Sequence, residues 1–226
     1  MTTFGNLMVI VIIRLDPRLH IPMYFFLVNL SFIEMLYTTT IIPNSLKNFL
    51  YEDKHISYEG CFTQMFFFIG SGSSECALLS AMAYDRYIAI CLPLVYSNYM
   101  NHSSCVKLVL VSWTIGFLNS LVHTVYTATL PFCKDNRISH FFCDIPPLLT
   151  LSCKDTRPNK LVSVLVGGTL IVGSLIFICI SYFCIVRAIL KISRSNARYK
   201  TFSTCVCHLT VVVIFFALGT KTFRRQ

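Results

Sequence analysis

The sequence predicts an all-α membrane protein, and its composition and the layout of its charges carry that prediction. Hydrophobic residues make up 55% of the 226 residues and charged residues only 13%, about half the charge of a typical soluble domain. The mean hydropathy is accordingly high, at +0.66. The net charge of +9 is gathered in short clusters between long uncharged runs. This layout indicates a chain that crosses a bilayer and argues against a nucleic-acid partner.

Five runs of about 18 residues or more are long enough for a helix to cross about 30 Å of hydrocarbon. The first contains one acid, Glu34, the second contains Glu75, and the other three contain no charged residue. Together with a shorter opening run, they predict six helices in one domain spanning residues 1–226. The expected helices are at about residues 1–15, 22–47, 60–88, 105–131, 160–191 and 200–220.

The opening run is too short to cross a bilayer, since residues 1–13 would reach only about 20 Å as a helix. A signal peptide needs a basic leader and a small-residue cleavage site. Here the apolar run starts at Met1 and leads directly into Arg14. We therefore favour a truncated first helix over a signal sequence.

Six helices place both chain ends on the same side of the membrane. Raw counts of Lys and Arg do not separate the two sides, but the odd-numbered connections carry the larger net positive charge. Four cysteines, at positions 61, 133, 143 and 153, lie at or in the even-numbered connections, and oxidised pairs would place these outside the cytoplasm. We therefore expect the odd connections to be cytoplasmic. The sequence alone leaves three pairings of the four cysteines open.

The third predicted helix ends in a distinctive motif. Residues 82–91 read MAYDRYIAIC, and Pro93, Leu94 and Tyr96 follow. Other short motifs occur in a fixed order along the chain: Gly5-Asn6, LHIPMYFFLVNLS at residues 19–31, HFFCD at 140–144, Ser181-Tyr182, KTFSTC at 200–205 and His208-Leu209. Together these motifs resemble the rhodopsin-like G-protein-coupled receptors, and in this wording the olfactory receptors.

The resemblance implies a rhodopsin-like transmembrane helix bundle with six of its seven helices present. The chain departs from the family pattern at Glu34, where Asp is usual, at Cys207, where Ser is usual, and at Phe216, where Tyr is usual. After Phe216 the pattern is lost, so we expect the N-terminal head and the seventh helix to be missing. The resemblance also selects two disulfides, Cys61–Cys143 and Cys133–Cys153.

By resemblance, the cytoplasmic end of the third helix carries a switch for a G protein. Its residues would be Asp85, Arg86, Tyr87, Tyr182 and Lys200. Arg86 would pair with Asp85 at rest and meet Tyr182 when the helices part. The alternative is an arginine that only extends to the lipid headgroups, since it lies about 16 Å along the helix from Glu75.

Glu34 and Glu75 are the acids within apolar runs, where a carboxylate is costly unless it faces the bundle interior. By resemblance they would form a polar pocket with Asn6 that holds a structural sodium ion. The alternative is a pair of protonated acids, hydrogen-bonded between helices. We expect no other cofactor. Cys205, Cys207 and His208 lack a fourth ligand at a recognisable spacing, which argues against a zinc site.

The outer halves of three helices supply a candidate odorant pocket. Its walls would be mostly apolar with one hydroxyl, which suits a small volatile organic molecule and not an amine. The alternative is that these side chains only pack against other helices. The residues are Met65, Phe68, Ile69, Gly72, Ser73, Val166, Gly167, Leu170 and Phe216.

We therefore expect an odorant-binding receptor of the plasma membrane that activates a stimulatory heterotrimeric G protein. Its partners would be the odorant, the G protein and the lipid bilayer. No nucleophile, phosphate-binding loop or metal spacing in the sequence indicates an enzyme. The alternative is a truncated, signalling-incompetent fragment, from a pseudogene or a splice product, that is retained in the endoplasmic reticulum.

Overall fold

The computed structural model describes residues 2–50, 56–133, 142–191 and 195–224. Six long helices account for most of these residues. They are α1 (Thr2–Leu15), α2 (Pro22–Leu50), α3 (Tyr58–Cys91), α4 (His102–Ala128), α5 (Arg157–Leu190) and α6 (Ser195–Arg224). Within the described ranges, extended chain pairs only at an isolated bridge between Phe132 and Ser152. The predicted all-α class is confirmed.

Four stretches in the described part of the chain are long and apolar enough to cross a membrane. These are Pro22–Pro43, Tyr58–Cys91, His102–Ala128 and Arg157–Leu190. Thr2–Leu15 and Cys205–Ala217 are shorter apolar helices, and the second of them lies within α6. The chain is therefore a membrane protein with a helical bundle.

Polar caps set where two of the long helices begin. The Ser57 side chain accepts a hydrogen bond from the amide of Gly60, and α3 therefore starts at Tyr58 instead of residue 60. The Asn101 side chain accepts one from the amide of Ser104, and α4 starts at residue 102 instead of 105. The periodicity of apolar residues contains no information about polar caps. The predicted helices therefore begin later than the observed ones.

Two helices contain an irregular turn in their outer halves. Pro43 lies inside α2, where it has no N–H for the carbonyl one turn before it. In α5, residues Ser163–Gly167 form a π turn between the α-helical segments Arg157–Val162 and Gly168–Leu190. Such turns interrupt the regular helical register and are frequent at functional sites.

Helix α3 is the centre of the bundle, since it packs against α2, α4 and α5. Its inner half is buried in a large hydrophobic cluster that includes Phe26, Ile33, Leu79 and Ile185. Its outer end belongs to a smaller cluster that Met65 shares with the connection after α4. Both ends of α3 are thus fixed by packing against several other elements.

The contact between α3 and α4 is close because small residues line it. A Cβ built on Gly116 would overlap the backbone of Ser74, so the two helices approach where a side chain is missing. Nearby, the hydroxyl of Ser120 donates a hydrogen bond of 2.5 Å to the carbonyl of Phe66. These contacts hold α4 along the outer half of α3.

The connection between α4 and α5 folds over the outer end of α3. It includes a short helix, Ile145–Leu151, whose buried residues face Met65. Two disulfides fix it, Cys61–Cys143 and Cys133–Cys153, and these are the pairings that the resemblance implied. The amide of Cys153 also donates to the carbonyl of Pro131 at 3.2 Å. We call this connection, residues 129–156, the outer loop.

Candidate functional site

At the inner end of α3, Asp85 and Arg86 form an ion pair. The arginine donates from Nε at 3.0 Å and from Nη2 at 2.6 Å to the same oxygen, Oδ2 of Asp85. The carboxylate is almost fully buried, with 1% of its side chain exposed, so its charge requires these partners. Within the predicted switch, the structure thus brings together the two residues expected to pair at rest.

Tyr96 is a third member of this group that the sequence analysis quoted only as part of a motif. It lies in a short helix, Tyr96–Tyr99, between α3 and α4, and its hydroxyl donates to Oδ1 of Asp85 at 2.9 Å. Burial, followed by the negative charge of Asp85, raises the pKa of Tyr96 above its ordinary value. The phenol therefore stays protonated and able to donate at neutral pH.

Tyr182 on α5 pairs with α6 and not with Arg86. Its hydroxyl lies 2.5 Å from Nδ1 of His208, and the two rings stack with centroids 5.7 Å apart. Both side chains are buried. Tyr87 packs at the edge of the large cluster, and the side chain of Lys200 lies outside the described residues. The meeting of Arg86 with Tyr182 was predicted for the opened bundle, and it stays a prediction.

The two membrane acids come from neighbouring helices. Glu75 on α3 is buried, with 7% of the residue exposed, whereas Glu34 on α2 and Asn6 on α1 are half-buried. Glu34 lies on α2 and Glu75 on α3, two helices that pack against each other. The acids of the predicted polar pocket thus come from adjacent helices, with Asn6 on the helix that packs against α2.

Tyr37 connects this acidic pair to the predicted odorant pocket. Its ring centroid lies 4.8 Å from that of Phe68, and its edge lies 4.0 Å from where a Cβ on Gly72 would be. The sequence analysis missed Tyr37, although its spacing of three residues from Glu34 places both on one face of α2. Because Gly72 has no side chain, Tyr37 lies directly against α3.

The outer residues of the predicted pocket lie beneath the outer loop. Met65 is fully buried in the outer cluster, and Ile69 packs at its edge. The ring of Phe68 has a second neighbour, Phe142, with centroids 5.0 Å apart. The loop therefore covers this part of α3 with an aromatic side chain next to Cys143.

Helix α4, which the sequence analysis left out of the pocket walls, faces two of the predicted residues. The hydroxyl of Ser73 accepts a hydrogen bond of 2.8 Å from Nδ2 of Asn119, so the expected pocket hydroxyl is directed to α4. A Cβ on Gly167 would lie 3.5 Å from Nε2 of His123. Asn119 and His123 are both buried, and their positions one turn apart give α4 a polar inner face.

The remaining predicted pocket residues occupy different levels of the bundle. Val166 and Gly167 are half-buried in the π turn of α5, and Leu170 is half-buried just after it. Phe216 on α6 contacts Phe215 and packs against the large cluster, deeper than the outer cluster that contains Met65. The structure thus places Phe216 at the base of the predicted pocket region and not beside its outer residues.

An open cleft of about 280 Å³ lies between the outer ends of α2 and α3. None of the predicted odorant-contacting residues lines it. Its walls are formed by Thr40, Pro43, Ile56, Gly60, Thr63, Gln64 and Phe67. The cleft therefore marks the junction of α2 with α3 beside the predicted pocket.

Comparison with known proteins covers almost the entire chain. The family model for olfactory receptors matches residues 1–223. This match places the helical bundle, with its buried Asp85–Arg86 pair, among the G-protein-coupled receptors. The chain belongs to the olfactory receptor family.

Individual relatives give the same assignment. Olfactory receptor 5AU1 of Homo sapiens is 47% identical over 222 residues, which cover 98% of this chain and 61% of the relative. Olfactory receptor 5F1 of Homo sapiens is 45% identical over 225 residues, covering 100% and 72%. Olfactory receptor 9S13 of Mus musculus is 49% identical over 215 residues, covering 95% and 65%. The chain thus spans about 61% to 72% of the lengths of these relatives. Members of this family are receptors and not enzymes.

Proposed function

We propose that this chain forms the odorant-binding and signalling bundle of a plasma-membrane receptor that activates a stimulatory heterotrimeric G protein. The observation that supports the proposal is that one helix, α3, carries residues of both predicted sites. Phe68 and Gly72 lie in its outer half near the outer loop, and the Asp85–Arg86 pair lies at its inner end. A ligand that displaces the outer half thus acts on the element that holds the inner pair.

The ligand of this proposal is a small, mostly apolar organic molecule. Phe68, Ile69 and Gly72 of α3 would contact it, together with Val166, Gly167 and Leu170 of α5, with Met65 above and Phe216 below. The buried amide of Asn119 and the imidazole of His123 add hydrogen-bonding groups from α4. The acids Glu34 and Glu75 lie deeper than Phe68, which disfavours an amine as the ligand.

The signalling step of this proposal is the opening of the Asp85–Arg86 pair. An odorant shifts the equilibrium only by its difference in affinity for the closed and open bundles. In the open bundle Arg86 would be available to the G protein, with Tyr87, Tyr182 and Lys200 nearby on the cytoplasmic side. The buried ion pair thus acts as the resting contact.

Glu34, Glu75 and Asn6 would hold a sodium ion that favours the closed bundle. The fit rests on the two carboxylates, one buried and one half-buried, that the adjacent helices α2 and α3 supply. A cation between them offsets the cost of two adjacent negative charges in the membrane. If the acids are instead protonated and hydrogen-bonded to each other, sodium will have no effect on the chain.

The test is odorant-stimulated cAMP in cells that express the chain with a surface tag. In a second version, the chain is fused to the part of olfactory receptor 5F1 that lies outside its alignment with this chain. We expect at least one odorant of a broad panel to raise cAMP, and Arg86→Ala to abolish the response at equal surface level. Lys107→Ala, a change of another basic residue in the cytoplasmic half, is the control and should respond like the parent.

Two outcomes would contradict the proposal. If both versions reach the surface and no odorant raises cAMP, the receptor function is refuted. If the fused version responds and the chain alone stays in the endoplasmic reticulum, the bundle belongs to a receptor but this chain is a signalling-incompetent fragment.

A further inference from the structure

Gln64 joins three separate segments at the outer end of the bundle. Its side-chain Nε2 donates a hydrogen bond of 2.9 Å to the backbone carbonyl of Thr40 on α2. Its Oε1 accepts one of 3.1 Å from the backbone amide of Cys143 in the outer loop. Only 6% of the residue is exposed to solvent. Its side-chain amide therefore depends on these two protein partners for its hydrogen bonds.

The sequence of α2 explains why the Thr40 carbonyl accepts a bond from outside its helix. Pro43 has no N–H to donate to the carbonyl of Thr39, and its ring displaces that carbonyl, which opens the helix at the turn that contains Thr40. A carbonyl oxygen also has two lone pairs and can accept a second donor. The cleft beside Thr40 and Gln64 lies at this opened turn.

The contact with Cys143 complements the disulfide and does not duplicate it. The disulfide joins the Cys143 sulfur to Cys61, three residues before Gln64 on α3. A single sulfur link leaves the loop backbone free to rotate about the side-chain bonds. The hydrogen bond to the backbone amide removes that freedom, because it fixes a second point of the same residue.

The orientation of Cys143 determines where its neighbour Phe142 lies. The ring of Phe142 contacts Phe68 at 5.0 Å, and Phe68 contacts Tyr37 at 4.8 Å. These three rings therefore form a continuous path from the outer loop to the polar pocket region on α2. A rotation of the loop backbone would change the surface that Phe68 presents.

We propose that Gln64 is a positioning residue for ligand binding, which fixes the outer loop backbone at Cys143 to α2 so that Phe142 stays against Phe68. Its role in ligand binding rests on the proposed odorant-receptor function, whereas its effect on the loop does not. Gln64 itself acts through the loop and through Phe68. Loss of its amide is expected to loosen the loop while both disulfides remain intact.

Hydrogen–deuterium exchange of the amide of Cys143 tests the effect on the loop directly. The chain is studied in lipid nanodiscs, and the peptide containing residues 142–144 is followed after reduction under quench conditions. Gln64→Met keeps an unbranched side chain of similar length but removes both hydrogen bonds. We expect exchange about two- to tenfold faster than in the parent, the range for loss of one net hydrogen bond.

Gln64→Glu keeps the test decisive if the methionine variant folds poorly. A glutamate retains an acceptor oxygen for the Cys143 amide in either protonation state. We therefore expect its exchange to be slower than that of Gln64→Met. Ser120→Ala is the matched control, since it removes a helix-to-helix hydrogen bond to Phe66 in the same half of α3 but away from the loop. It should leave exchange at Cys143 unchanged.

Odorant dose–response curves test the consequence for the ligand. With the loop loosened, Gln64→Met should raise the half-maximal odorant concentration about two- to tenfold with an unchanged maximal response. The proposal would be overturned if the Cys143 amide of Gln64→Met exchanged at the same rate as in the parent. It would also be overturned if Ser120→Ala accelerated that exchange as much as Gln64→Met does. If no odorant activates even the parent, the receptor function fails while the exchange result still decides the effect of Gln64 on the loop.

Discussion

Tyr96 and Asp85 are joined by a hydrogen bond of 2.9 Å from the phenol to the carboxylate, across the short connection between α3 and α4. Arg86 uses the other oxygen of the same carboxylate. Release of Arg86 therefore leaves Asp85 with one partner that does not come from α3. The connection after α3 thereby takes part in holding the Asp85–Arg86 pair.

Tyr96→Phe should raise the resting activity of the receptor. It removes one of the two partners of a buried carboxylate, which weakens the arrangement that holds Arg86. We expect basal cAMP to rise about two- to fivefold at equal surface level. Tyr99→Phe is the control, since Tyr99 lies in the same short helix and is 55% exposed. Equal basal signals in the two variants would contradict this role of Tyr96.

The phenol of Tyr96 should ionise at higher pH than an exposed tyrosine. Because its pKa is raised in the folded state, its stabilising contribution is fully present below the ordinary value of about 10 and is lost as pH rises through the raised value. The phenolate absorbance lost in Tyr96→Phe should therefore appear at higher pH than that of N-acetyltyrosinamide in the same buffer. Coincident titrations would show that burial and Asp85 have no such effect.

The contact between Tyr182 and His208 should stabilise the packing of α5 against α6. Both groups are buried, so removal of either one leaves the other unsatisfied. In a double-mutant cycle of Tyr182→Phe and His208→Phe, we expect a coupling of about 1 kcal/mol in the free energy of unfolding. A cycle of Tyr182→Phe with Tyr99→Phe should be additive, and additivity in the first cycle would refute the contact.

Gly116 should not tolerate even a methyl group. Because a Cβ there overlaps the backbone of Ser74, Gly116→Ala must push α4 away from α3. We expect a loss of about 1–3 kcal/mol in stability, seen as a lower melting temperature in detergent. Gly173→Ala on α5 is the matched control, since no atom lies within 4 Å of its Cβ. A neutral Gly116→Ala would mean that the two helices are farther apart than described.

Sodium should stabilise the bundle through Glu75. Replacement of a large organic cation by about 150 mM sodium should raise the melting temperature of the parent, because an ion that binds the folded state stabilises it by mass action. Glu75→Gln should abolish the sodium effect, whereas Glu59→Gln, on the exposed first turn of α3, should retain it. A parent insensitive to sodium would favour the protonated pair.

The sequence predicted the helices well because each long helix carries its own apolar signal. Length and charge located α2 to α5 within a few residues of their observed bounds. The pairing of Cys61 with Cys143 came from the resemblance, since spacing alone left three pairings open. Periodicity on α3 also placed Glu75 and Leu79 on its buried face.

Contacts between helices were predicted less well, because they depend on how each helix is rotated against its neighbours. Ser73 was assigned to the pocket, yet it bonds to Asn119 on a helix 46 residues away in sequence. Tyr37 and Gln64 were missed for the same reason, since their partners come from other elements. Apolar patterns identify a buried face but do not say which polar group across the interface will meet it.

The π turn at Ser163–Gly167 has a consequence for variants that shorten α5. A π turn accommodates one residue more than an α turn, so deletion of one amino acid within Ser163–Gly167 would leave a regular helix whose flanking residues keep their present faces. The amide of Asn159, which donates at 3.0 Å to the carbonyl of Tyr126, would then stay against α4. The same deletion in the regular segment Gly168–Leu190 would instead turn everything before it by about 100° and uncouple the two helices at their outer ends, even though no hydrophobic residue need be lost.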